Sequence, residues 1–276
     1  MTQDIEGKSF LLDPLGRIAL RADSLLFSLA QATDELTQSF KLVYRNYLRA
    51  EYIDPHPSNM RYSAHNMLPS TTTFVAKLRD AVVTTATVVF DSPLGLPLET
   101  IYHEEVEELR RQHARLCEVT MLADRRRTGM RTIPSILQLF KLILHYTLKF
   151  EKATDLVITI NPSHEGFYTR YLPFDDLAGL KYYPSVKNAP ALAKRAHLAD
   201  LSDRSKWRRL YEFFMETPPP EEVFKAQKKR FTEDELRDLF VVKRNILPRL
   251  PDFAIEHVKS CYPDCDFDKI LAPTEK

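Results

Sequence analysis

Apolar and polar positions alternate in two ways along the chain, and together they predict a mixed order of strands and helices. Short apolar runs rich in β-branched residues predict strands at 25–31, 71–78, 81–90, 115–123 and 155–160, with two weaker candidates in 181–198. Apolar residues at helical spacing predict a helix that Asp34 caps, a charged helix over about 101–113, a long helix over about 132–150 and a short one from His164 to Tyr171. Two adjacent strands in the middle exclude a regular strand–helix alternation, so the predicted fold class is α/β (α+β) with a mixed sheet.

The pattern changes near residue 203, where helices replace strands. Thr232 and Glu235 have the spacing of a capping box, which indicates a helix start. An apolar stripe among basic residues precedes it and contains Trp207, Leu210, Phe213 and Phe214. Such a stripe usually docks onto its own domain, and a membrane surface or a partner is the alternative. We expect one domain over residues 20–200 and a helical C-terminal extension over 201–276.

The composition is that of an ordinary globular protein and narrows the function classes. The 276 residues carry a formal net charge of +1, which gives no reason to expect a nucleic-acid partner. No segment reaches about 18 uninterrupted apolar residues and the first ten residues are polar, so neither an integral membrane span nor a secretory signal is expected. With three cysteines the protein is expected in the reducing cytoplasm, and Cys261 and Cys265 are interpreted as structural rather than as metal ligands.

The stretch 116–131 begins as an apolar strand and ends as a basic turn that contains one glycine. Alternation puts Glu118 on one strand face with Leu116, Thr120 and Leu122, and puts Cys117, Val119 and Met121 on the other. A carboxylate is costly to bury unless it is paired or functional. Glu118 is therefore a candidate general base or amine anchor, and a structural salt bridge, for example to Arg45, is the alternative.

Four stretches carry a family resemblance: KLVYRNYLRAEYI (41–53), DSPLGLP (91–97), LCEVTMLADRRR (116–127) and NPSHEGFYTRYLPF (161–174), with weaker support from KNAPAL (187–192). In order and spacing they resemble the GNAT acyltransferase fold. The chain looks most like the long-chain N-acyl amino acid synthases of the FeeM type, which are related to the acyl-homoserine-lactone autoinducer synthases. The resemblance covers about 25–200 and implies a GNAT-like mixed central sheet flanked by helices.

This resemblance implies an N-acyltransferase. A long-chain acyl group, held as a thioester on the phosphopantetheine of an acyl carrier protein or on coenzyme A, would pass to the amine of an amino acid. The carrier arm would lie where the sheet splays, and the first helices and the middle hairpin would build an acyl-chain tunnel. No permanently bound cofactor and no metal is implied. The alternatives are an autoinducer synthase-like enzyme, which would need S-adenosylmethionine as acceptor, and a non-catalytic module that binds acyl groups or carrier proteins.

The resemblance also implies roles for individual residues. Glu118 lies in the strand where the relatives carry a glutamate. Arg45 lies in a helix where they carry an arginine near the active site, so it would pair with Glu118 or bind the carboxylate of the amino acid, and an exposed helix arginine without a role is the alternative. Tyr168 falls in a segment similar to the last GNAT motif, whose tyrosine protonates the leaving thiolate, although here Pro173 replaces the usual glycine. Substrate-binding roles are expected for Thr120, Asn161 and Asn188.

The basic turn resembles the start of the GNAT pyrophosphate loop, Arg/Gln-x-x-Gly-x-Gly/Ala. Its candidate phosphate-binding residues are Arg126, Arg127, Thr128, Gly129 and Arg131. Glycine lets the backbone approach a phosphate and the following helix offers free N–H groups, although most short basic runs are simply solvated. Arg131 stands where the family pattern has a small residue, which favours the single phosphate of a carrier-protein arm over coenzyme A. With Arg125, these arginines would also suit an acidic carrier-protein surface.

Overall fold

The computed structural model describes residues 10–12, 18–20, 25–125, 129–207, 210–225 and 228–272, which form a nine-stranded sheet with helices on both faces. The strands are β1 (Phe10–Leu12), β2 (Ile18–Leu20), β3 (Leu25–Leu29), β4 (Thr72–Leu78), β5 (Ala81–Phe90), β6 (Leu116–Asp124), β7 (Asp155–Ile160), β8 (Asp175–Tyr183) and β9 (Ala189–His197). The helices are α1 (Thr33–Arg49), α2 (Glu99–Arg111), α3 (Gly129–His145), α4 (Glu165–Tyr171), α5 (Glu233–Leu236), α6 (Asp252–Cys261) and α7 (Phe267–Leu271).

The sheet is mixed, which confirms the predicted fold class. Its strand order is β1-β2-β3-β4-β5-β6-β7-β9-β8, and β6 and β7 run parallel while the other neighbouring strands described run antiparallel. Strands β4 and β5 form the predicted hairpin, and β7 has the predicted bounds. The start of β8 was not predicted because this edge strand is half-exposed and lacks a regular apolar alternation.

Helix α1 is capped differently from the prediction. Its N-cap is Ala32, and Asp34 lies inside the first turn. The side chain of Glu35 satisfies the first free donors instead, because Oε2 accepts the N–H of Gln31 at 2.8 Å and that of Ala32 at 3.3 Å. The predicted start was therefore close, but the predicted capping residue was wrong.

Helix α3 lies in the middle of the core rather than on its surface. Every residue from Leu137 to Thr147 is buried. The sheet covers one side of the helix, and the C-terminal segment adds Trp207 and Phe214 to the same core, with their rings stacked at 4.6 Å between centroids. The Trp207 stripe thus docks onto its own chain, as the sequence predicted.

The remaining C-terminal helices pack on the opposite face of the sheet, against α1. Phe240, just beyond α5, shares a core with Phe40 of α1. The predicted capping box forms, since Thr232 Oγ1 accepts the N–H of Glu235 and Glu235 Oε2 accepts the N–H of Thr232. The C-terminal residues therefore contribute to the cores on both faces, and the domain boundary at residue 200 stays a prediction.

Among the helices described, none combines the length and the apolar character that a bilayer crossing demands.

Strands β6 and β7 separate at one end. Their parallel pairing runs from Leu116 opposite Asp155 to Val119 opposite Ile158 and goes no further, although both strands continue. The resulting gap, which we call the split, lies between Thr120–Asp124 of β6 and the end of β7.

A β-bulge in β6 lies next to the split. The register against β5 shifts between Thr120 and Ala123, and Met121 adopts a φ of +54°. Met121 consequently packs with the core beneath α1, and Leu122 packs with the core around α3. The faces predicted for these two residues by simple alternation were wrong, because a bulge inserts one extra residue.

Candidate active site

Glu118 is the buried carboxyl group at the centre of the candidate site. It lies in β6 between Val89 of β5 and Val157 of β7 and is 2% exposed. Its Oε2 accepts the backbone N–H of Leu98 at 2.8 Å. Burial raises the pKa of Glu118 from 4.5 to about 8, the hydrogen bond from Leu98 opposes this rise, and the charge of Glu99 adds to it. A carboxyl group with this pKa can exchange a proton near neutral pH, as a general base must.

The loop of residues 91–98 delivers the N–H of Leu98, and Arg110 holds this loop in place. Arg110 donates to both carboxylate oxygens of Asp91, at 2.9 and 2.6 Å, and to both of Glu99, at 2.8 and 2.5 Å. These hydrogen bonds, with Asp91 first, raise the pKa of Arg110 further and keep it charged. A cleft of about 440 Å³ between the loop and Arg110 belongs to this clamp.

Gly95 lets the loop pass close to Glu99. Its φ is +68°, and a Cβ at this position would lie 2.9 Å from Glu99 Oε1. The positive φ therefore favours glycine, and a larger residue here would push the Glu99 carboxylate aside.

Three side chains of α2 lie close enough together to share a cation: Glu99, His103 and Glu107. The guanidinium of Arg110 is already the cation that neutralises this group. Their nearest ligand atoms lie within 4.8 Å of one another. Because both glutamates bond the Arg110 guanidinium, we interpret the group as part of the same clamp. Among the residues that the structure describes, no group of potential metal ligands includes Cys261 or Cys265, and both are free thiols.

Two tyrosines and an arginine stand beside Glu118. The hydroxyls of Tyr47 and Tyr183 each interact electrostatically with both the Glu118 carboxyl and the Arg61 guanidinium. The guanidinium lies over the Tyr47 ring, 4.8 Å from its centroid, and the Tyr183 hydroxyl donates to the carbonyl of Pro97. Burial raises the pKa of both phenols, so both stay protonated near neutral pH.

Thr159 brings a further hydroxyl group to the split. It is the β7 residue just beyond the last pair with β6, and its Oγ1 is buried with no hydrogen-bond partner among the residues that the structure describes. Tyr168 of α4 packs edge-on against Phe140 and Phe174, and burial raises the pKa of its phenol. The Tyr168 phenol also interacts with that of Tyr47, so Tyr47 is in electrostatic contact with both the predicted base and the predicted acid.

Arg45 does not reach Glu118. It lies on the exposed side of α1, and the structure, which describes both side chains, records no hydrogen bond or ion pair between them. Tyr47, two positions further on, faces Glu118 instead, because consecutive residues of a helix point about 100° apart. The salt bridge considered for Glu118 is therefore not formed, and any catalytic role of Arg45 stays a prediction.

The predicted substrate-binding residues occupy three different settings. Thr120 is half-buried in β6, two residues beyond Glu118. The Asn161 side chain serves the fold: Oδ1 accepts the N–H of Ser163 and Nδ2 donates to the Tyr52 hydroxyl, each at 2.9 Å. Asn188 is exposed in the β8–β9 turn with a φ of +55°. Their substrate-binding roles stay predictions.

The basic turn is described in part. Arg126, Arg127 and Thr128 lie outside the described residues, and for Gly129 and Arg131 the description covers the backbone at the start of α3. Arg125 is exposed, and its N–H donates to the carbonyl of Val83 at 2.7 Å. The turn therefore leaves the sheet next to the split, and its phosphate-binding role stays a prediction.

Sequence reasoning missed Arg61, Tyr183 and the position of Tyr47. Arg61 lies in a loop rich in proline and polar residues, and Tyr183 ends an edge strand. The two are more than 100 residues apart, so no local pattern indicates that they meet. Tyr44 and Tyr47, which flank Arg45 and Asn46 in the sequence, were the available signal.

A family model described as "N-acyl amino acid synthase FeeM" matches residues 38–197, more than half of the 276-residue chain. The chain belongs to the FeeM family of N-acyl amino acid synthases. As a FeeM-family protein it is an enzyme, an N-acyltransferase, and the alternative of a non-catalytic binding module is set aside. Glu118, Tyr47 and Tyr168 all lie within the matched residues.

Solved structures support the same fold. The structure of FeeM from uncultured soil microbes is 26% identical to this FeeM-family chain, covers 68% of it and 96% of its own length, and superposes with a TM-score of 0.59. BjaI, a CoA-dependent acyl-homoserine lactone synthase solved with SAM and isopentyl-CoA, is 14% identical, covers 72% of this chain and 98% of its own, and gives a TM-score of 0.50. The second likeness shows the fold alone. A comparison with curated proteins found no match.

Proposed function

We propose that this N-acyltransferase moves a long-chain acyl group from the thioester of an acyl carrier protein to the amine of an amino acid. The observation that carries the proposal is Glu118, a buried carboxyl group beside the split with a pKa near 8. Amide formation from a thioester needs a neutral amine, and a base of this pKa can take its proton at physiological pH.

Glu118 acts in this proposal as the general base. The amine nitrogen attacks the thioester carbonyl carbon, the nitrogen–carbon bond forms, and the amine proton passes to Glu118. The N–H of Leu98, 2.8 Å from Oε2, holds the carboxyl group in position while it changes charge. A base in this role accelerates the reaction by about 10²–10⁴-fold.

The split seats the donor. The edges of β6 and β7 that face the split do not pair with each other beyond Val119 and Ile158, so an extended arm can lie between them. The Thr159 hydroxyl, buried without a partner within the described residues, is available to a polar group of that arm. When the carbon–sulfur bond breaks, the thiolate leaves with the arm, and the Tyr168 phenol would donate a hydrogen bond or a proton to it.

A carrier protein suits the basic turn better than free coenzyme A does. Arg125 is exposed next to the split, and the sequence continues with Arg126, Arg127 and Arg131. Four arginines in seven residues attract the acidic surface of a carrier protein. Arg131 also fills the position where the GNAT pyrophosphate loop has a small residue.

The test is an acylation assay with purified protein. Palmitoyl and octanoyl thioesters, each on acyl carrier protein and on coenzyme A, are combined with the common amino acids, and products are identified by mass spectrometry. We expect N-acyl amino acids, formed most rapidly from the palmitoyl carrier protein. Equal rates with coenzyme A or with octanoyl donors would refute the donor proposal, and no acylated amino acid from any donor would refute the function.

Glu118→Gln separates catalysis from folding in the same assay. The amide keeps the shape and can still accept the Leu98 hydrogen bond but cannot take a proton, so turnover should fall by about 10²-fold or more. Glu104→Gln, an exposed glutamate on α2, is the matched control and should turn over like the wild type.

A further inference from the structure

Arg61 is a cation without an acidic partner. Within the part of the chain that the structure describes, it forms no ion pair with a carboxylate. Its guanidinium is half-buried over the Tyr47 ring, interacts with the Tyr47 hydroxyl and donates a hydrogen bond to the carbonyl of Ser185 at 3.3 Å. A guanidinium has five donors, so within the described residues Arg61 keeps donors for a ligand.

A second arginine strengthens the positive field at this place. Arg244 lies close enough to Arg61 for the two charges to interact, and it donates to the carbonyl of Met60 at 3.2 Å. Within the described residues its Nε is buried without a hydrogen-bond partner. Burial lowers the pKa of Arg244, the Tyr62 phenol opposes this shift, and the charge of Arg61 adds to it. Two neighbouring arginines without carboxylate partners favour an anion between or beside them.

The described residues supply no carboxylate ion pair to Arg61 or to Arg244. Asp238, which interacts with the Tyr62 phenol under Arg244, is itself paired with Lys243. The positive charge of Arg61 is therefore available to a ligand.

The cation is linked to the candidate base through two tyrosines. Arg61 lies over the Tyr47 ring and bonds the carbonyl of Ser185, two residues after Tyr183. The Tyr183 hydroxyl donates to the carbonyl of Pro97, next to the Leu98 N–H that binds Glu118, so the base and the cation belong to one site. Both phenols also interact electrostatically with Glu118 and with Arg61. An α-amino acid offers matching chemistry, because its amine and its carboxylate are attached to one carbon atom.

We infer that Arg61 binds the carboxylate of the acceptor amino acid while Glu118 receives the proton of its amine. This inference rests on the proposed function and names the recognition element of the same site. It restricts acceptors to amines that carry a neighbouring carboxylate, and it makes Arg61 a specificity-determining residue.

The test compares an amino acid with its carboxamide, in the wild type and in Arg61→Gln. The amino acid used is the best acceptor of the panel assay, and the carboxamide differs from it by the loss of the negative charge. The wild type should prefer the amino acid by roughly ten- to hundredfold in kcat/KM, as expected for a charge-assisted hydrogen bond. Arg61→Gln should lose this preference through a higher KM for the amino acid, with its carboxamide activity and its KM for the acyl donor unchanged.

Two further variants complete the experiment. Arg49→Gln removes an exposed arginine from α1 and should keep the full preference. Arg61→Lys keeps the charge but not the planar fork, so part of the preference should remain, and this variant still gives an answer if Arg61→Gln does not fold.

The outcomes separate the inference from the function on which it rests. Acylation in which both Arg61 variants keep the wild-type preference overturns the inference alone. An unchanged preference with a higher KM for the acyl donor also overturns it, because Arg61 would then bind the donor phosphate. A wild-type protein that acylates neither the amino acid nor the carboxamide overturns the proposed function, and the inference with it.

Discussion

Glu118 imposes a folding cost that grows with pH, and replacing it with glutamine should remove that cost. The folded protein holds the Glu118 proton up to a pKa of about 8, whereas the unfolded chain releases it near 4.5. Between these values the unfolded state binds fewer protons than the folded state, so the free energy of unfolding falls as pH rises. The loss is absent below pH 4.5 and complete above pH 8.

The magnitude follows from the two pKa values. Each pH unit between them costs about 1.4 kcal/mol, so the wild type loses about 1 kcal/mol at pH 5, about 3 at pH 7 and about 4 at pH 8. Glu118→Gln does not titrate and keeps a polar acceptor for the N–H of Leu98. The variant should therefore become more stable than the wild type, by a difference that grows by about 3 kcal/mol from pH 5 to pH 8.

Urea unfolding at a series of pH values measures this difference directly. The free energies of unfolding of the wild type, Glu118→Gln and Glu104→Gln are compared at each pH, and the exposed Glu104 variant should follow the wild type throughout. A stability difference between Glu118→Gln and the wild type that stays constant from pH 5 to pH 8 would refute the reasoning. It would mean that Glu118 does not hold its proton in the folded state.

Three other substitutions test separate parts of the structure. Tyr168→Phe removes a hydroxyl that makes no hydrogen bond within the described residues, so Tm should stay nearly unchanged. Because the proposed proton donor is lost, kcat should fall by about 10²-fold. An unchanged kcat would exclude Tyr168 from the reaction. Tyr102→Phe leaves the carbonyls of Gly179 and Ala191 without their donor and should lower the free energy of unfolding by about 1–2 kcal/mol in urea; no loss would mean that water replaces the donor. Trp207→Ala should cost about 3–5 kcal/mol in the same measurement, and a negligible cost would contradict its burial in the α3 core.

The buried strands of the sheet were predictable because burial leaves a strong sequence pattern. The run 155–160 is apolar between polar neighbours, and the structure gives β7 the same bounds. Glu118 was identifiable from the sequence because it is the one carboxylate in an otherwise apolar strand, where burying a charge is costly. Strand β8 left no such pattern, because an edge strand with exposed residues on both faces has no need of apolar alternation.

The details of the site depend on contacts that no local window contains. The bulge at Met121 reverses the alternation without any glycine or proline to indicate it. Arg61 and Tyr183 come close to each other because a loop after α1 packs against the end of an edge strand. The family resemblance indicated the right helix for a residue beside Glu118. It did not indicate the right residue, because the rotation of the helix places Tyr47 rather than Arg45 beside Glu118.

The split divides the sheet into two blocks that are joined at one short seam. Strands β1 to β6 form one block, β7 to β9 form the other, and four residue pairs connect them. This seam has fewer paired residues than its neighbours on either side, so the two blocks separate there more easily than at the adjoining strand pairs. An arm lying in the split would hydrogen-bond to both blocks at once. Occupancy of the donor site would then slow amide hydrogen exchange across the seam, and the substrate would complete the sheet of the enzyme that uses it.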